Sequence, residues 1–71
     1  MTAISKNNVK KIREDRLMSK SELARKAGVS VLTIDRVEKE MSCRVATMRK
    51  IILALGYKLQ DKNRVFPDGK N

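Results

Sequence analysis

Backbone breakers are the scarcest feature of this chain. Glycine occurs only at positions 28, 56 and 69 and proline only at 67, so the stretch from Asn8 to Leu55 contains one strong breaker, Gly28. A run that long with so little punctuation is built from helices, and the apolar spacing agrees. A first segment, about Asn8 to Arg16, places Val9, Ile12 and the stem of Arg16 on one stripe, with Lys10, Lys11 and Glu14 turned outward. A second begins at Ser19, whose hydroxyl is placed to cap a free backbone N–H while Glu22 completes a capping box. Leu23, Ala24 and Ala27 form its small apolar face, and Gly28 ends it in the left-handed conformation that glycine adopts cheaply.

Ser30 is a second good cap, and the segment from Val31 to about Glu40 offers Ile34, Val37 and Met41 to a core. A fourth segment, near Val45 to Leu55, carries Val45, Met48, Ile52 and Leu55 on one stripe, widened by Ile51 and Ala54, and Gly56 stops it. From Tyr57 to Phe66 two short alternating runs flank Asp61, Lys62 and Asn63, a pattern that predicts an extended strand or a hairpin. The expected organisation is an arm over residues 1–7, a helical domain over 8–56, and an extended segment with a frayed end over 57–71.

Composition narrows the function. A chain of 71 residues buries only about 60% of the surface its unfolded form exposes, which leaves no room for a deep water-excluding pocket. It has no histidine and a single cysteine, Cys43, so neither an internal disulfide nor a closed zinc site is expected. No Cys/His pair, glycine-rich phosphate loop or carboxylate dyad is evident. The expectation is a non-enzyme without cofactor or metal. No apolar run suits a bilayer and the first residues lack a signal-peptide core, so a cytoplasmic location away from membranes is expected.

Seventeen Lys and Arg against eight Asp and Glu give a formal charge of +9, the electrostatic footprint of a polyanion binder. Residues 1–30 hold eight basic and three acidic groups, so the field leans to the N-terminal half, yet the signs mix as in a folded domain.

A capped helix, a Gly28-Val29-Ser30 turn and a second capped helix inside an all-helical basic domain describe a helix-turn-helix unit. The run Met18-Ser-Lys-Ser-Glu-Leu-Ala-Arg-Lys-Ala-Gly-Val-Ser-Val-Leu-Thr-Ile-Asp-Arg-Val-Glu-Lys-Glu40 closely resembles that of the phage repressor and Cro (XRE-like) family. The resemblance continues through Thr47, Lys50-Ile51 and Ala54-Leu55-Gly56. It implies an all-α, lambda-repressor-like bundle of about four short helices. Ala24 would pack the two motif helices, Val29 would plug the turn, and Ile34 and Val37 would fix the second helix to the core. In such a fold the base-contacting positions fall on Val31, Leu32, Thr33 and Arg36. Arg36 is suited to the O6 and N7 of guanine, with a phosphate contact or a solvated side chain the alternative; Val31 and Leu32 suit thymine methyls or, equally, the core or a protein contact; and Thr33 suits a base contact or the start of the helix. Ser19, Lys20, Lys39, Ser42 and Arg44 fall at backbone-contacting positions, where a solvated role is the alternative. Arg13 and Glu38 match an ion pair that orients the helices.

Two departures stand out: Leu17 lies where glycine is common, and Cys43-Arg44 where a Pro-Ser pair often precedes the fourth helix. The chain also lacks the length for the fifth helix of the phage repressors. Instead Leu55-Gly-Tyr-Lys-Leu59 looks like the end of antitoxin and small regulator domains, in which an extended segment follows.

The resemblance implies a double-stranded DNA partner and a homodimer on an inverted repeat. The expected interface is Leu55, Tyr57, Leu59, Val65 and Phe66, by strand pairing, with Tyr57 and Phe66 as local core plugs the alternative. Regulation of transcription, as a repressor, leads. An antitoxin with a toxin partner, and a nonspecific RNA-binding or protein-interaction adaptor, are the competing expectations.

Overall fold

A computed structural model describes residues 7–41 and 43–67. The described residues form five α-helices and a 3-10 turn, without strands: α1 (Val9–Asp15), α2 (Lys20–Ala27), α3 (Val31–Glu38), α4 (Val45–Ala54), the 3-10 turn Leu59–Asp61 and α5 (Lys62–Val65). Local chemistry fixes the starts of the two central helices. Ser19 Oγ accepts the Glu22 N–H at 3.0 Å, and Ser30 Oγ accepts the Thr33 N–H at 3.1 Å. Each bond satisfies one of the donors a helix leaves open at its start.

The helix ends share one device. Gly28 takes φ 72° and Gly56 φ 89°, and the next residues close six-residue rings: Val29 N–H to Ala24 O at 3.0 Å, Tyr57 N–H to Ile52 O at 3.1 Å. The ends of α1 and α3 use the same geometry on residues far less suited to it. Leu17 has φ 56°, with the Met18 N–H on Arg13 O at 3.0 Å, and Glu40 has φ 63°, with the Met41 N–H on Arg36 O at 3.1 Å. Leu17 is also 92% exposed, so its side chain recovers no burial for the left-handed backbone.

One core runs through the domain, from Val9 and Ile12 of α1, Leu23, Ala24 and Ala27 of α2, and Ile34 and Val37 of α3 to Ile51, Ile52 and Leu55. Val65 and Phe66 complete it. Two positions expected in the core are exposed. Met41 lies beyond the left-handed Glu40, where the chain has left the path of α3; Val45 stands at the first position of α4, whose contribution to the core comes from its C-terminal half.

The expected extended segment is helical, and a short fifth helix exists. Phe66 N–H bonds Lys62 O at 2.7 Å, and the segment ties back to the start of α1. Asn8 donates from its backbone to Val65 O at 2.8 Å and from Nδ2 to Arg64 O at 2.9 Å. A lone alternating segment has no strand edge to pair with here, whereas two helical turns bury Val65 and Phe66 and satisfy their own backbone.

Candidate nucleic-acid interface

The two central helices present a polarised unit. On α3, Ile34 and Val37 face the core while Val31 and Leu32 are 44% and 57% exposed and Arg36 is exposed. Among the described residues Arg36 makes no side-chain hydrogen bond or ion pair, so its guanidinium keeps all of its donors. Thr33 is half-buried, and its hydroxyl lies 2.9 Å from Ser30 Oγ, which engages it in the start of the helix.

The opposite end of α3 is held from below by α1. Arg13 Nε donates to Glu38 Oε2 at 2.6 Å, Nη2 to Oε1 at 3.1 Å, and Nη1 to Met18 O at 2.9 Å. The two side chains are 9% and 4% exposed. The bond to Glu38 is the largest influence on the Arg13 guanidinium and raises its affinity for its proton against the effect of burial, so the guanidinium stays charged. Asn7 grips the same turn, donating from Nδ2 to Val37 O at 2.8 Å while its Oδ1 accepts the Val9 N–H at 3.1 Å.

The candidate backbone-contacting residues spread around α3. Ser19 is exposed at the head of α2 with its oxygen in the cap, and Arg44 is exposed just before α4. Ser42 lies outside the described residues. Lys20 and Lys39 converge on a residue that motif reasoning passed over, Asp35: Oδ1 lies 2.8 Å from Lys20 Nζ and Oδ2 lies 3.1 Å from Lys39 Nζ. Hydrogen bonding from Lys20 first, and from Lys39 second, holds the Asp35 carboxyl below its usual range, and the same bond raises Lys20. The Asp35–Lys39 spacing of four is a helix ion-pair signal visible in sequence; the Lys20 contact depends on how α2 and α3 pack.

Of the residues expected at a dimer interface, Leu55, Val65 and Phe66 are sealed in the chain's own core. Tyr57 is half-buried with Arg16 stacked 5.3 Å from its ring centroid, and Leu59 is exposed. Sequence reasoning assigned no role to Leu53, which is exposed on the last turn of α4.

No curated protein matches the chain. A family model described as helix-turn-helix matches residues 9–62, from the first residue of α1 into α5.

Proposed function

The chain belongs to the helix-turn-helix family of DNA-binding domains, and on that premise we propose that it is a sequence-specific transcriptional repressor that occupies an inverted-repeat operator as a homodimer. The observation that carries the proposal is the division of α3. Ile34 and Val37 anchor one side in the core, and Val31, Leu32 and Arg36 stand free on the other. A helix so presented fits the major groove, where each base pair shows a distinct pattern of donors, acceptors and methyl groups. Arg36 reads a guanine through two parallel hydrogen bonds, Val31 and Leu32 pack on thymine methyls, and Thr33 secures the helix start beside them. Ser19, Lys20, Lys39, Ser42 and Arg44 engage the phosphates on either side.

One motif of this size reads few base pairs, and a twin places a second α3 about 34 Å away on the next major groove. Leu59 and Tyr57, joined by Leu53, form the surface for that twin. Strand pairing is replaced by helix-end packing, because residues 59–65 are helical. A toxin partner held by the C-terminal segment has less support, since Val65 and Phe66 are committed to the core.

Binding to a selected duplex, a random duplex and random RNA at several salt concentrations tests the proposal. A repressor keeps a large preference for its site while salt weakens all three; equal affinities for the three throughout would contradict it.

A further inference from the structure

A carboxylate amid the cations that flank a recognition helix is electrostatically out of place. Asp35 lies on α3, one turn after Val31 and one turn before Lys39, and its side chain is 29% exposed. Beside DNA it repels phosphates whatever the base sequence, so it weakens binding to every duplex alike. It also contributes little to folding, because ion pairs this exposed are weakened by solvent and by the cost of holding two mobile side chains in place. What it supplies is geometry. Each of its oxygens holds a different lysine, Lys20 from the first position of α2 and Lys39 from the C-terminal cap of α3. Free lysines on four-carbon stems follow phosphates at many spacings; two lysines fixed on one carboxylate present ammonium groups at one spacing.

We infer that Asp35 is a positioning residue for DNA recognition: by fixing Lys20 and Lys39 on its two oxygens it restricts their phosphate contacts to the geometry of the specific complex and so raises the ratio of specific to nonspecific binding. The inference rests on the DNA-binding reading above. It separates the two roles of the basic surface. Arg36 acts through bases, whereas Asp35 acts through where the phosphates must be when those bases are met.

Asp35→Asn removes the charge and keeps the shape. Affinity is measured for the wild type and the variant on a site selected by the wild type and on random duplex, across a salt series. The expected result is a rise of about two- to fivefold on random duplex and a fall of about fivefold or more in the specificity ratio. Asp61→Asn, which removes the same charge outside α3, is expected to leave the ratio unchanged. Lys20→Gln and Lys39→Gln are each expected to lower the salt slope on the selected site by about 0.9. If Asp35→Asn raises both affinities by the same factor, or alters neither, Asp35 is a spectator and the inference fails. A wild type that enriches no sequence overturns the DNA-binding reading and the inference with it. Cooperative thermal unfolding and a helical circular-dichroism spectrum like the wild type's exclude misfolding of the variant as the cause.

Discussion

Arg13 and Glu38 meet through two parallel hydrogen bonds, 2.6 and 3.1 Å long, with both side chains almost fully buried beneath the last turn of α3. Truncating one partner leaves the other charged and unpaired out of water, which costs about 3–5 kcal/mol, a large share of the stability of a domain this size. Arg13→Met alone is therefore expected to unfold at a much lower temperature. The pair Arg13→Met/Glu38→Leu removes both charges, so its thermal midpoint returns close to the wild type's, but the tie between α1 and α3 is gone. Its affinity for a selected duplex is expected to fall. Unchanged affinity in a folded double variant would remove the orienting role assigned to the pair.

Leu17 holds left-handed backbone with its side chain in solvent. Leu17→Gly relieves about 1–2 kcal/mol of backbone strain and gives back part of it through the greater freedom of glycine in the unfolded chain. A net gain of about 1 kcal/mol follows, seen as a rise in thermal midpoint of about 4–8 °C. A lower midpoint would mean that this leucine makes a stabilising contact.

The C-terminal turns divide into core and surface. Phe66→Ala empties a fully enclosed site and is expected to cost about 3–5 kcal/mol at any protein concentration. Leu59→Ala is expected to change the stability of the single chain by no more than about 0.5 kcal/mol. It weakens self-association instead, which sedimentation over a concentration series measures.

The Asp35 carboxyl is held below its ordinary range by Lys20 and Lys39. A depressed folded pKa means that the ion pairs stabilise the fold above the ordinary carboxylate range and lose that contribution as pH falls through the depressed value. Thermal midpoints of the wild type and Asp35→Asn are expected to converge on acidification from about pH 5 to pH 2. A gap independent of pH would show that the carboxylate charge plays no part in it.

Much of the fold was legible because its local signals are strong. Ser19 and Ser30 begin α2 and α3 where their capping chemistry places them, and Gly28 and Gly56 end α2 and α4. The end at Glu40 carries no such residue signal, and at Leu17 the one hint is that glycine is common there in the family the chain resembles; in both turns the ring-closing hydrogen bonds belong to the backbone, which any residue supplies. Carrying the segment to about Glu40 and counting Met41 in its core face followed from periodicity that continued past that hidden stop. The C-terminal segment misled for another reason. Apolar residues at Tyr57, Leu59, Val65 and Phe66 fit an alternating pattern, but what decides their conformation is the open side of a core that Asn8 and Leu55 help to frame. Within the candidate interface, a motif identifies positions; the Lys20–Asp35 contact arises only when α2 and α3 are packed together.

The most direct test of the account is enrichment of binding sites from a random duplex pool by the full chain, repeated with Arg36→Ala. The account predicts a palindromic consensus with half-site centres about 10 base pairs apart. Each half-site contains a guanine whose preference collapses in the variant, at a cost of about 1–3 kcal/mol in discrimination. No consensus from the wild type, or the same consensus with an undiminished guanine preference from Arg36→Ala, would contradict it.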